Sequence, residues 1–282
     1  VEKINLTRPT EVRDLLRRLE IKPRRSLGQH FLIDRNILDR ILSLSAPEPG
    51  DHVLEIGPGL GVVTSELLSC ARAVTAIEMD QALCRFLRQQ FRDVPNFRLL
   101  EGDALDMDLC GLLTGGNDRF ISNLPYGAGS RILMELAACK QPPKIITVMV
   151  QRDVALRLAA QPGTKAYGLL SIIPCMYYEI TREKDVSPTC FYPAPRVWSS
   201  IVSLRRREHL LIDVRDKNHF CMLVKWAFQH RRKQFGKLLR QKTNTAHAMQ
   251  LLAETGIPPD ARPENISVRQ WGLLSNLLIQ ET

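Results

Sequence analysis

The sequence predicts a doubly wound α/β domain followed by a smaller, all-helical C-terminal domain. Three observations carry that prediction. From residue 50 onward short β-branched runs alternate strictly with helix-like runs, the strand-like runs are apolar on both faces, and beyond about residue 207 only helical patterns remain. Strands apolar on both faces belong to a parallel sheet covered by helices on each side. With 282 residues, 44% of them hydrophobic, the chain is long enough for one domain-sized core and a second, smaller one. The expected boundaries are 1–207 for the α/β domain, including an N-terminal extension over 1–25, and 208–282 for the helical domain.

The strand-like runs are, in order, 52–57 (HVLEIG), 73–80 (AVTAIEMD), 96–103 (NFRLLEGD), 119–125 (RFISNLP) and 144–150 (KIITVMV). Helix-like segments SELLSCA, QALCRFLRQQF and SRILMELAACK separate them. Apolar runs at 169–176 and 198–204 read as two closing strands, for seven in all. The proline-rich segment SPTCFYPAPRVW between those two is too long for a tight hairpin and predicts an irregular loop at the binding face. In the C-terminal part, projecting 224–240 at helical pitch gathers Val224, Ala227, Phe228, Phe235, Leu238 and Leu239 on one arc. Lys225, Arg232, Lys233, Lys237 and Arg240 fall on the opposite arc. Arg231 lands inside the apolar arc, so it pairs with a carboxylate, reaches past its neighbours or marks a bend near Gly236.

Charge is distributed unevenly. The net charge is +9, yet residues 41–130 hold 6 basic and 12 acidic side chains while 205–242 hold 12 and 3. A stretch so polarised predicts a polyanion partner, with the five cations of the helix face as its candidate contacts and a merely solvated helix face as the competing reading. No apolar run reaches the length of a transmembrane helix. The leading residues VEKINLTRPTEVRDLLRR fit neither a secretory signal nor an acid-poor transit peptide, so a soluble, cytoplasmic protein without membrane association is expected. Seven cysteines without ligand spacing predict reduced core thiols rather than disulfides, and no metal site.

The strongest local motif is Glu55-Ile56-Gly57-Pro58-Gly59-Leu60-Gly61, where the first strand turns into its helix. Glycines there allow close approach of a ligand to the backbone, and the helix N-terminus offers unpaired N–H groups. A dinucleotide fingerprint places its third glycine one residue later, where this chain has Val62. The GxGxG spacing instead suits S-adenosylmethionine (SAM). Glu78 ends the second strand, 21 residues after Gly57, in position to accept from both ribose hydroxyls; Asp103 ends the third, in position to accept from an adenine amine. The acidic balance of this region also suits a sulfonium better than a diphosphate.

At the end of the fourth strand stands Asn123-Leu124-Pro125-Tyr126. Such a tetrapeptide fits methylation of an exocyclic amine, whose lone pair is delocalised into the base. Acceptors at the Asn123 side chain and the Leu124 carbonyl favour a pyramidal nitrogen, proline fixes the turn, and Tyr126 offers a face for an extruded base. Phe191 is the candidate second wall of the base pocket, with a buried loop anchor as the competing reading.

Together with Ser26-Leu27-Gly28-Gln29-His30-Phe31-Leu32, Lys165-Ala166-Tyr167-Gly168, Phe228-Gln229-His230-Arg231-Arg232-Lys233 and Glu264-Asn265-Ile266-Ser267-Val268, these motifs resemble the small-subunit ribosomal RNA adenine dimethyltransferases, the KsgA/RsmA family. The resemblance runs from about Arg24 to the end of the chain. It implies a Rossmann-like, seven-stranded SAM-dependent methyltransferase domain with an all-helical C-terminal domain that docks on RNA. It implies dimethylation of N6 on two adjacent adenines in the 3′-terminal hairpin loop of small-subunit rRNA, with an immature 30S subunit as partner, a role in subunit biogenesis, and a monomeric enzyme. By the same resemblance His30, Leu32, Gly57, Glu78, Asp103 and Asn123 contact SAM, and Asn123, Leu124, Tyr126 and Phe191 form the catalytic site. His30 stands where many members have Asn, Gly127-Ala128-Gly129 where Asn-Ile-Ser is expected, and Trp198 where Asp is expected. The competing expectations are a large-subunit rRNA adenine methyltransferase of the macrolide-resistance type, an assembly factor whose methylation is secondary, and a nicotinamide dehydrogenase.

Overall fold

A computed structural model describes residues 4–24, 28–113 and 118–279; Ser26 and Leu27 of the SLGQHFL motif lie outside these described residues. The elements run α1 (Pro9–Arg18), β1 (Phe31–Leu32), α2 (Arg35–Ser45), β2 (His52–Ile56), α3 (Val62–Cys70), β3 (Ala73–Glu78), α4 (Gln81–Gln90), β4 (Phe97–Glu101), β5 (Asp118–Asn123) and α5 (Gly129–Ala138). They continue with β6 (Ile145–Gln151), α6 (Arg152–Leu158), α7 (Leu169–Tyr177), β7 (Tyr178–Val186), β8 (Phe191–Tyr192), β9 (Ser199–Arg206), α8 (Lys217–Gln229), α9 (Phe235–Lys242), α10 (Thr245–Thr255) and α11 (Val268–Ile279).

Seven strands form one sheet in the order β4-β3-β2-β5-β6-β9-β7. From β4 to β6 the pairings are parallel, and β9 joins β6 antiparallel. Strand order reverses between β2 and β5, and ligands of open α/β sheets bind outside the strand ends at that switch point. Register places Ile56 opposite Ile77, Glu78 opposite Glu101, and Asn123 opposite Met149. The strand-ending residues singled out in the sequence therefore share one edge of the sheet. The opposite ends are fixed by a buried polar network. Arg119 is paired with Asp51 and donates to the Ser45 carbonyl, and the His52 ring bridges Asp118 and Thr75.

Helix α1 starts with proline at its first turn and buries Val12, Leu15 and Leu16 in a cluster with Phe31, Leu60, Leu83 and Phe86. Helix α4 is capped by Asp80, whose carboxylate accepts from Ala82 and Leu83 N–H, and Gln29 donates to that same carboxylate.

Three expectations need correction. The run at 169–176 is helical, as α7, and the strand expected there is instead β7, whose YEITREKDV sequence carries no apolar run. A short, wholly buried helix and a buried strand are equally apolar, so periodicity does not separate them. Strand β7 closes the sheet as an edge, where charged side chains are tolerated. The expected single helix over 224–240 is two, α8 and α9, interrupted at 230–234. Cys110 and Cys139 form a disulfide, because the segment after β4 folds against the C-terminal end of α5 and joins two thiols 29 residues apart.

Contacts divide the chain into two compact units, one of 1–155 with 180–206 and one of 156–179 with 207–282. The second unit thus takes a segment that a single boundary at 207 assigns to the α/β domain. Its packing gives the reason. Tyr167 hydroxyl donates to the Ile266 carbonyl, and its ring meets Phe228 edge-on. Arg231 is paired with Glu264 and donates to the Thr164 and Lys165 carbonyls. Three of the motifs that carried the family resemblance are therefore joints of one helical unit.

Candidate active site

The carboxyl ends of β2, β3 and β5 enclose a cavity of about 280 Å³. Its lining includes the glycine turn, Glu55, Glu78, Asp103, the Asn123–Tyr126 turn, Gln29, His30 and Leu32, and no lysine or arginine among the described residues. Gly57 has φ +70°, and a Cβ there would lie 3.1 Å from the Pro125 ring. The glycine turn and the Asn-Leu-Pro-Tyr turn are thus packed directly on each other, and any side chain at 57 would push them apart. Gly28, at φ +64°, brings its own loop equally close to the Tyr126 backbone.

Glu78 organises the floor. Its Oε1 accepts from Met79 and Asp80 N–H at 2.9 and 3.0 Å, and its Oε2 accepts from Gly59 N–H at 3.2 Å. Burial raises its pKa above the ordinary carboxylate range, and the three N–H donors pull it part of the way back. Glu55, wholly buried, accepts from the Thr64 hydroxyl at 2.7 Å, and burial pushes its carboxyl up to about 8. Asp103 accepts from Leu105 N–H through Oδ1 while it lines the cavity. It caps a short helical turn and faces the ligand space at once.

Around the catalytic turn, Ser122 hydroxyl donates to the Ile56 carbonyl and Leu124 N–H to the Met149 carbonyl. Asn123 Nδ2 donates to the His30 carbonyl at 3.1 Å, which leaves Oδ1 to accept from a ligand. Tyr126 hydroxyl is hydrogen-bonded to Ser199 Oγ at 2.7 Å, and its ring lies 5.3 Å from the His30 ring at an interplanar angle of 32°. The His30 ring is held in turn by the Pro193 carbonyl at 2.7 Å from Nδ1. Burial raises the Tyr126 pKa, so the phenol stays neutral. The arrangement is a fixed aromatic face beside the free Asn123 acceptor. It suits a neutral amine acceptor of a methyl group and needs no general-base dyad.

Residues 21–280 match the family model described as "Ribosomal RNA adenine dimethylase". The chain belongs to the ribosomal RNA adenine dimethylase family. It is therefore a SAM-dependent rRNA adenine dimethyltransferase. Within the family, it is 38% identical to the ribosomal RNA small subunit methyltransferase A of Geobacter metallireducens, over 92% of this chain and 96% of the relative. It is 37% identical to the protein of that name from Magnetococcus marinus, over 93% and 94%. Among solved structures, a dimethyladenosine transferase from Plasmodium falciparum shares the fold at TM-score 0.75 and 23% identity, covering 89% of this chain and 97% of that one. The 23S rRNA methyltransferase ErmE aligns at TM-score 0.67 and 27% identity, over 88% and 99%.

The cavity fits the adenosyl group of the family's methyl donor: buried carboxylates stand at the strand ends, and the lining residues among those described include none of the cations that a diphosphate requires. His30, Leu32, Gly57, Glu78, Asp103 and Asn123 all line it, as do Leu124 and Tyr126. Phe191 does not. It pairs with Leu32 across the two-stranded β1–β8 sheet, is 3% exposed, and packs with Ile37, Leu38 and Ile201, so the loop-anchor reading replaces the base-wall reading. Lys225, Arg232, Lys233, Lys237 and Arg240 are all exposed, but α8, the intervening turn and α9 share them out, so they form no single helical face. Sequence reasoning missed Ser199 and the Pro193 carbonyl. Both lie some 70 residues or more beyond the groups they hold, Pro193 in the segment leading into β9 and Ser199 at its first position, and no local pattern marks them.

Proposed function

We propose that this enzyme transfers methyl groups from SAM to N6 of two adjacent adenines in the 3′-terminal hairpin loop of small-subunit rRNA, two on each, within an immature 30S subunit, and so contributes to subunit biogenesis as a monomer. The observation that carries the proposal is the Asn123–Tyr126 turn, which lines the same cavity as Glu78 and Asp103. SAM supplies a methyl group activated on a sulfonium. Glu78 and Asp103 would hold its adenosyl part through the ribose and the base amine, and no lysine or arginine among the described lining residues would oppose the sulfonium. Asn123 Oδ1 and the Leu124 carbonyl accept from the target amine and turn its lone pair toward the methyl. Tyr126, fixed by Ser199, stacks on the extruded base. Exposed cations of the second unit neutralise rRNA phosphates.

The small-subunit assignment rests on the relatives at 37–38% identity, against 27% for the 23S enzyme. Mass mapping of methylated adenines after incubation with unmethylated small subunits tests it. Two neighbouring dimethyladenines near the 3′ end are the expected product; methylation confined to large-subunit RNA refutes the assignment.

A further inference from the structure

Trp198 is 49% exposed, after Val197 at 44%, in the segment that leads into β9. Its backbone is not loose. The Trp198 carbonyl accepts from Arg152 N–H at 2.9 Å, continuing the β6–β9 ladder one step past the Gln151–Ser199 pair. The next residue, Ser199, holds the hydroxyl of Tyr126. A large aromatic side chain thus stands in solvent, on a fixed backbone, at the carboxyl end of the sheet and one residue from the group that sets the target-base face. Arg196, exposed two positions earlier, forms no ion pair among the described residues. A half-exposed indole, two residues along the chain from a guanidinium with no ion pair among the described residues, matches what a single-stranded polyanion with aromatic bases requires.

We propose that Trp198 is a second stacking platform, binding the base of the unpaired nucleotide that neighbours the target adenine, while Arg196 meets its phosphate. The inference rests on the rRNA methyltransferase reading and extends the site from one base to two. A strand that delivers its adenine to Tyr126 brings the adjoining nucleotide past Ser199, and Trp198, the residue before it, is the only aromatic among the exposed large hydrophobic side chains of the described residues.

The test compares the unaltered chain, Trp198→Phe and Trp198→Ala in methyl transfer to unmethylated small subunits. Base stacking of this kind corresponds to roughly a 5-fold to 150-fold change in affinity. Trp198→Ala is expected to raise KM for the subunit by that factor, with kcat within about threefold and SAM affinity by calorimetry unchanged, while Trp198→Phe keeps most of the binding. A Trp198→Ala enzyme within about twofold of the original, or a Trp198→Phe enzyme no better than it, overturns the proposal. A second arm needs no turnover. The chain has three tryptophans and Trp271 is fully buried, so in a Trp226→Phe background quenching by oligoadenylate reports Trp198. Quenching without methyl transfer refutes the functional reading alone; methyl transfer without quenching refutes the stacking platform alone.

Discussion

Replacing Glu78 by glutamine isolates its role in holding the methyl donor. The side chain keeps its size, but one acceptor becomes a donor. Three backbone N–H groups converge on the native carboxylate, two on Oε1 and one on Oε2. The best orientation for Gln keeps its carbonyl on the Met79 and Asp80 pair and turns its NH₂ toward Gly59 N–H, donor against donor. The loss of the Gly59 bond acts on the free and the bound protein alike, whereas the charge-assisted bond to the ligand's hydroxyls, made only in the complex, is what the substitution removes from binding. At ~1.5 to 3 kcal/mol for a charge-assisted bond, SAM affinity falls roughly 10-fold to 150-fold. Calorimetric titration with SAM and with S-adenosylhomocysteine measures it, and both ligands are expected to weaken together, because Glu78 acts on the adenosyl part that they share. At saturating SAM, kcat stays within a small factor, since the target-amine acceptors are untouched. A dissociation constant within about threefold of the original refutes the reasoning.

Glu55 gives a pH prediction. Its folded pKa is raised from 4.5 to about 8, so its protonated form is favoured by folding. The contribution to stability is present in full below about 4.5 and is lost as pH rises through about 8. Glu55→Gln is expected to flatten the fall in melting temperature between those limits in the ligand-free protein; an unchanged slope places the titrating group elsewhere. Neutralising Lys225, Arg232, Lys233, Lys237 and Arg240 together is expected to weaken RNA binding and flatten its dependence on salt, each lost phosphate contact changing the log–log slope by ~0.7 to 0.9. An unchanged slope reassigns these side chains to solvation.

How much of this was legible in the sequence depended on whether the deciding contacts were local. Glu78 and Asn123 end parallel strands and the glycine turn and Asp103 directly follow two others, so strand alternation alone brings them to one end of the sheet. The strand expected at 169–176 is displaced to 178–186 because the apolar run belongs to a buried helix and the true edge strand is charged. Arg231 illustrates the same limit. Helical projection put it among apolar residues, and only the fold shows that it occupies a break between helices with a carboxylate and two carbonyls as partners. Phe191 and the Cys110–Cys139 bridge depended on long-range pairing, of β1 with β8 and of one loop with the end of α5, for which the sequence holds no spacing signal.

The central claim is that the Asn123 turn activates the amine while other groups hold the methyl donor. Asn123→Ala tests it most directly, with SAM binding and methyl transfer to unmethylated small subunits measured on the same preparation. Removal of about one hydrogen bond leaves the SAM dissociation constant within roughly an order of magnitude. Methyl transfer at saturating SAM is predicted to be nearly abolished. Near-normal turnover in that variant contradicts the account.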